Sequence, residues 1–109
     1  MKRYLGVDLH RTQFVVCTRW ENGEQEIRQW RIGELPKCVE QLRSEDQIAV
    51  EAMGTTARFY DAVVGRVARV VVVNPHQFKV ISESVKKTDR KDAQALALYL
   101  EKDLLPEEE

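Results

Sequence analysis

Alternation of apolar and polar residues near the start of the chain predicts a β-strand over residues 3–9. In an extended strand, Leu5, Val7 and Leu9 point to one side and Asp8 points to the other. An aspartate in an otherwise apolar strand is costly to bury unless another group pairs with its charge. We therefore expect Asp8 to belong to a cluster of chemically active groups.

Two further stretches continue this pattern and predict strands over residues 13–19 and 26–32. The sequence Glu21-Asn22-Gly23-Glu24 lies between them and is a hairpin signal, because Asn-Gly accepts the positive φ angles of a type I′ turn. The third strand is polar enough to lie at or near an edge of the sheet. The chain is therefore predicted to open with a three-strand antiparallel meander.

The pattern then alternates between helices and strands. The predicted elements are a helix from Pro36, a strand over residues 47–52, a helix capped by Thr56, a valine-rich strand over 69–73, a short helix over about 76–84 and a last helix from about Thr88 to Lys102. A meander followed by alternating elements predicts an α/β fold, with a mixed five-strand sheet and helices on its faces.

Composition sets limits on the class of protein. The chain of 109 residues has 43% hydrophobic and 32% charged residues, which is a globular balance for one domain. No apolar run approaches the roughly 20 residues of a membrane span, and the N-terminus has no signal-peptide pattern. Cys17 and Cys38 are far apart and form no ligand pair. We therefore expect a cytoplasmic protein with reduced thiols and no membrane partner.

Charge is unevenly distributed along a chain whose net charge is only -1. Residues 101–109 are strongly acidic, so the rest of the chain is basic. A basic cluster, which lies beside two acids, comprises Lys86, Lys87, Arg90 and Lys91. A basic rim around an acidic centre suits a site that cuts phosphodiesters. A solvated helix start would look the same, so both interpretations stay open.

The last predicted helix contains two acids on its inward side. Asp89 lies four residues before Ala93, and Asp92 lies four residues before Leu96, so both acids share the face of the apolar stripe. Acids in a first turn are also favoured by the helix dipole, which is the structural explanation for them. The dipole explains acids at this end of a helix but not two acids on its inward face.

The four acids Asp8, Glu51, Asp89 and Asp92 are expected to share one small volume. This follows if the first and fourth strands are neighbours and the final helix lies across their ends. Crowded carboxylates need cations, and Mg²⁺ or Mn²⁺ is the natural partner because both ions prefer oxygen ligands. Two such ions about 4 Å apart can activate water and stabilise the leaving oxygen of a phosphodiester.

Four segments of the sequence resemble a known family. They are Gly6-Val7-Asp8, Val50-Glu51-Ala52-Met53-Gly54, Val72-Val73-Asn74-Pro75 and Lys87-Thr88-Asp89-Arg90-Lys91-Asp92-Ala93. Together they resemble the DEDD transposases of bacterial and archaeal insertion sequences, the "one-ten" insertion-sequence superfamily that includes the Piv and MooV invertases. The resemblance covers nearly the whole chain, and its combined motifs are highly specific.

The resemblance carries expectations about fold, site and partners. It implies an RNase H-like fold similar to the RuvC resolvase, with Asp8, Glu51, Asp89 and Asp92 as catalytic residues that bind divalent metal. It implies DNA partners, namely the element ends and the target, in transposition or site-specific recombination. Some relatives are thought to use an element-encoded guide RNA, which adds RNA to the candidate partners. A homo-oligomer is expected for the full-length protein.

The sequence departs from the family pattern at two places. Many members have a lysine shortly after the first acid, where this chain has His10-Arg11. Members also carry a second, C-terminal transposase domain with a serine implicated in strand exchange, and nothing in this sequence corresponds to it. We therefore expect residues 1–102 to form an isolated RuvC-like N-terminal domain. Residues 103–109 are expected to be an acidic tail or the start of a linker.

Two other classes of function share features with this sequence. A nucleic-acid-binding or assembly module, inactive without a C-terminal domain, would use the metal only as structure. An actin-like or sugar-kinase ATPase half also starts with a Gly-x-Asp strand, but it needs a glycine-rich turn that Leu9-His10-Arg11-Thr12 lacks. Titration of the wild-type chain and of Asp8→Asn with Mg²⁺ or Mn²⁺ would be the most informative experiment.

Overall fold

The computed structural model of the protein describes residues 1–75, 78 and 89–105. Its strands there are β1 (Arg3–Leu9), β2 (Gln13–Trp20), β3 (Gln25–Arg31), β4 (Gln47–Glu51) and β5 (Arg69–Val73). Its described α-helices are α1 (Leu35–Glu40), which follows a 3-10 turn at Ile32–Glu34, α2 (Thr56–Val63) and α3 (Asp89–Glu101). These bounds closely match the predicted ones, except that the helix predicted over 76–84 lies outside the described residues apart from Phe78.

The five strands form one mixed sheet in the order β3-β2-β1-β4-β5. Strands β1, β2 and β3 pair antiparallel as a meander, whereas β4 pairs parallel with both β1 and β5. The prediction of a mixed five-strand α/β fold is therefore confirmed, and the architecture is consistent with an RNase H-like fold. The polar strand β3 lies at an edge, as its composition predicted, and β1 is central.

The predicted hairpin between β2 and β3 is present, but the predicted type I′ turn is wrong. Gly23 has a φ of +90°, whereas Asp103 is the only non-glycine residue in the described structure with a positive φ. The amide of Gly23 donates to the carbonyl of Trp20 at 2.9 Å. This is a three-residue loop in which only its final residue, Gly23, adopts the left-handed conformation.

One face of the sheet is covered by α1 and α2. Phe14 on β2 stacks on Trp30 of β3 and meets Phe59 of α2 edge-on, with ring centroids 6.5 and 6.1 Å apart. The buried side chains of this larger core are Leu5, Val7, Leu9, Phe14, Val16, Trp30, Leu35, Cys38, Val39, Ile48, Val50, Phe59 and Val63. Alternate residues of each strand supply this core, as the two-residue period requires.

The opposite face of the sheet is covered by α3. The predicted inward stripe of this helix is fully buried and consists of Ala93, Leu96, Ala97 and Leu100. It packs on alternate strand residues that include Val15, Cys17, Ala49, Val71 and Val73. The chain is therefore a three-layer α/β/α structure. Asp8 lies on the face of β1 that is covered by α3.

Gly6 allows α3 to approach β1 closely. A Cβ atom at this position would lie 2.0 Å from the carbonyl oxygen of Ala93 and 2.6 Å from the amide nitrogen of Ala97. A glycine next but one to Asp8 in a predicted strand indicates room for a ligand or for another backbone. The structure shows that the space is filled by the backbone of α3.

A buried ion pair joins the start of β1 to the loop before β4. Arg3 donates to Asp46 from Nε at 2.9 Å and from Nη2 at 2.6 Å, and the Asp46 side chain is only 1% exposed. The backbone amide of Arg43 donates a further bond of 2.8 Å to the same carboxylate. This pairing holds the loop before β4 to the start of β1, which favours a single register between the two central strands.

The two cysteine thiols are buried and are not joined in a disulfide. Burial raises the pKa of the Cys17 and Cys38 thiols from 9.0 to about 11, and the charges of Arg19 and Arg28 offset only part of that effect. Both thiols should therefore stay protonated and resist iodoacetamide at about pH 8 in the folded chain. Mass spectrometry should find full alkylation only after denaturation, and equal rates in both states would contradict this.

The same thiols give the folded state a pH dependence. The unfolded chain releases these protons near pH 9.0, whereas the folded chain retains them to about pH 11. Their contribution to stability is therefore fully present below pH 9.0 and is lost as the pH rises through about 11.

Candidate functional site

Asp8 and Glu51 lie side by side where the neighbouring strands β1 and β4 end. This row of carboxyl-terminal strand ends is called the active edge below. The parallel ladder between β1 and β4 runs from Tyr4 opposite Gln47 to Val7 opposite Val50, so Asp8 and Glu51 follow at the next register position. Residues at matching positions of parallel strands point to the same face. Both acids therefore lie at the carboxyl ends of the central strands, on the face covered by α3.

Helix α3 runs antiparallel to β1. Its last residue, Glu101, pairs with Arg19 at 3.3 Å, and Arg19 lies opposite Tyr4 at the start of β1. Ala93, near the other end of α3, packs against Gly6. The N-terminal turn of α3 is therefore directed toward the active edge, so the positive end of its dipole faces the charges of Asp8 and Glu51.

Strand register places Asp8 beside Glu51, and the direction of α3 orients its first turn, with Asp92, toward the same end of these strands. Asp92 lies in the first turn of α3 and is half-buried, while the side chain of Asp89 lies outside the described part of the chain. Among the described side chains, no group of three or more His, Cys, Asp or Glu residues is arranged so that it could hold a metal ion. The predicted convergence therefore rests on strand register and helix direction.

The predicted basic cluster falls almost entirely outside the described atoms. Lys86 and Lys87 are not among the described residues, and Arg90 and Lys91 are described only as helical backbone in the first turn of α3. Their proposed contact with nucleic acid therefore stays a prediction. Their place in the chain nevertheless puts at least Arg90 and Lys91 at the end of α3 that is directed toward Asp8.

His10 contacts Asp8, and the sequence reasoning missed this contact. The Nε2 atom of His10 lies 2.9 Å from Oδ2 of Asp8, and the two side chains are 40% and 12% exposed. The signal was available in the sequence, because residues two apart on a strand point to the same face.

Thr56 fixes the backbone that follows Glu51. Its hydroxyl donates to the carbonyl oxygen of Glu51 at 2.8 Å and accepts from the amide of Met53 at 2.9 Å. The prediction that Thr56 caps α2 is wrong by one residue, because Thr55 occupies the cap position, without a capping hydrogen bond from its side chain, and Thr56 is the first residue of the helix. Thr56 instead closes the turn between β4 and α2, which holds the backbone at Glu51.

The fold and the placement of acids at the ends of its central strands define an RNase H-like α/β domain with carboxylates at its active edge. A comparison with protein-family models matches residues 5–108 to the DEDD transposases of the IS110 type, described as transposase. The chain belongs to this transposase family. A comparison with curated proteins gives no match.

Family membership indicates the general class of function of the chain. It is a DNA-processing enzyme domain with a role in transposition, and the family implies a DNA substrate and the use of divalent metal. Among the described helices, none is both long and apolar enough to cross a membrane.

Proposed function

We propose that Asp8, Glu51, Asp89 and Asp92 form the catalytic, metal-binding centre of a transposase domain that acts on the DNA of element ends and target. The observation that carries this proposal is the register of the central strands, which sets Asp8 beside Glu51 on the face covered by α3. The direction of α3 adds Asp92 and the helix start at Asp89 to the active edge.

The donor set fits Mg²⁺ or Mn²⁺. Carboxylate oxygens are the ligands that both ions prefer, and neighbouring carboxylates that are partly shielded from water repel each other unless a cation lies between them. The Asp8 side chain is only 12% exposed, so its charge is poorly solvated. A bound divalent ion would polarise the phosphodiester and activate the attacking water. The chain itself would supply Asp8, Glu51, Asp89 and Asp92 as ligands.

The basic residues Lys86, Lys87, Arg90 and Lys91 are proposed to bind DNA phosphates beside this centre. Such contacts would position the backbone without reading its sequence. The strength of DNA binding should then fall steeply with salt concentration, because phosphate contacts release counterions. A guide RNA, which has the same backbone charge, and a second copy of the chain are further proposed partners.

Thermal unfolding in Mg²⁺ or Mn²⁺ tests the metal centre. A ligand at a hundred times its Kd stabilises the folded state by about 2.7 kcal/mol, which is on the order of 10 °C for a domain of this size. We expect the wild-type chain to show a rise of this order and Glu51→Gln to lose most of it. The control is Glu40→Gln, an exposed acid at the end of α1, which should retain the full rise.

The outcome also separates two functions. An assembly or nucleic-acid-binding module is the second candidate, because the described acids do not close into a three-ligand group. That function predicts DNA or RNA binding that is retained in Glu51→Gln, because any bound metal would serve only the structure. An equal rise in Glu51→Gln and Glu40→Gln would remove Glu51 from the proposed centre.

A further inference from the structure

The imidazole of His10 contacts Asp8, which is one of the four acids of the proposed site. Its Nε2 atom lies 2.9 Å from Oδ2 of Asp8, a normal hydrogen-bond distance. Asp8 is mostly buried, whereas the imidazole is 40% exposed. Nothing in the metal chemistry proposed above gives His10 a part.

The backbone of the β1–β2 hairpin fixes the position of His10. Leu9 pairs with Phe14 at the end of the ladder, and the amide of His10 then donates to the carbonyl of Gln13 at 2.8 Å. His10 is thus held as a continuation of β1, two residues beyond Asp8. The contact follows from the strand geometry and is not a chance meeting of two mobile surface side chains.

The chemistry of the acceptor sets the direction of the hydrogen bond between His10 and Asp8. An ionised carboxylate only accepts hydrogen bonds, so Nε2 carries the hydrogen and donates it to Oδ2 of Asp8. A donor held in this way limits rotation of the carboxylate group. Hydrogen bonds from a surrounding residue to a ligating carboxylate orient it and affect metal affinity.

We propose that His10 is a positioning residue that holds the Asp8 carboxylate in the orientation used to bind a divalent cation. This inference rests on the proposed function, because it requires Asp8 to be a metal ligand. His10 itself touches neither the ion nor DNA in this role. Its effect is transmitted through the contact with Oδ2 of Asp8.

The first test measures Mn²⁺ binding to the chain by calorimetry. We expect His10→Ala to weaken Mn²⁺ binding by about 10–100-fold, the usual cost of losing an outer hydrogen bond to a ligand. His10→Gln should recover most of that affinity, because its amide N–H can donate to the same oxygen. Thr12→Ala, an exposed change in the same turn, is the control and should bind as wild type does.

The second test needs no metal. Nitrogen-detected NMR of the histidine rings should show His10 as the Nε2–H tautomer at neutral pH, with its signals assigned by their absence in His10→Gln. Asp8→Ala should change the chemical shifts of Nε2 and its proton, since the hydrogen-bond acceptor is then gone. A His10 ring that favours the Nδ1–H tautomer would overturn the contact itself.

The outcomes separate the two proposals. Wild-type chain that binds no Mn²⁺ overturns both the metal centre and the role of His10. Wild-type binding that is unchanged in His10→Ala overturns only the positioning role. Tighter binding in His10→Ala also overturns it, because His10 would then compete with the cation for Asp8. A loss in both His10→Ala and His10→Gln would mark His10 as a direct ligand and likewise overturn positioning.

Discussion

Gly6→Ala is expected to push α3 away from the sheet and to destabilise the chain by at least about 1–3 kcal/mol, the usual cost of overpacking. The added Cβ would lie 2.0 Å from the carbonyl oxygen of Ala93 and 2.6 Å from the amide nitrogen of Ala97. Both atoms belong to the helix backbone, so no change of side-chain rotamer relieves the clash. The helix must shift as a unit, and its buried stripe must lose contact with β1 and β2.

Chemical denaturation of Gly6→Ala measures this cost, and Gly33→Ala is the matched control. A Cβ at Gly33 would meet nothing within 4 Å, so this change should leave the free energy of unfolding nearly unaltered. A shifted α3 would also carry Asp92 away from Asp8, so the metal-dependent rise in melting temperature should shrink. If Gly6→Ala costs no more than Gly33→Ala, the close packing of α3 on β1 is contradicted.

The strands of the sheet and the acids Asp8 and Glu51 at their ends could be predicted from the sequence. The hairpin signal at Asn22-Gly23 and the later helix–strand alternation together define a meander followed by parallel strands. An aspartate within β1 and a glutamate at the end of β4 then mark the carboxyl ends of two strands that can be neighbours in a mixed sheet. Periodicity and turn chemistry predict the individual elements because both act over a few adjacent residues, whereas no local signal decides that β1 and β4 are neighbours.

The contacts that fix the active edge in detail could not be predicted in the same way. The pairing of Arg3 with Asp46 joins residues 43 positions apart, and no local pattern identifies which of many arginines meets which acid. The contact between His10 and Asp8 follows strand periodicity, but only once the strand is known to continue beyond Leu9. Helical spacing placed Asp92 on the inward side of α3, yet its half-buried state depends on how far the helix extends past the sheet.

Asp8→Asn is expected to abolish metal binding and transposition while the chain stays folded. Asparagine has the size of aspartate, and its carbonyl oxygen can still accept a hydrogen bond from His10, so packing at the end of β1 should be preserved. The change removes the negative charge that a hard cation requires. Binding of Mn²⁺ should weaken by more than about 100-fold, beyond the roughly 10–100-fold cost of losing an outer contact.

Asp61→Asn is the matched control, because it makes the same chemical change at an exposed position of α2. Without metal, both variants should unfold within about 1 kcal/mol of the wild-type chain, since surface and isosteric changes cost little. With saturating Mn²⁺, only Asp8→Asn should lack the rise in melting temperature, and only an element encoding Asp8→Asn should fail to transpose. If metal stabilises Asp8→Asn as fully as Asp61→Asn, the carboxylate of Asp8 is not a metal ligand. Its place in the strand would then have to be explained by the hydrogen bond to His10, because a buried charge without a cation needs such a partner.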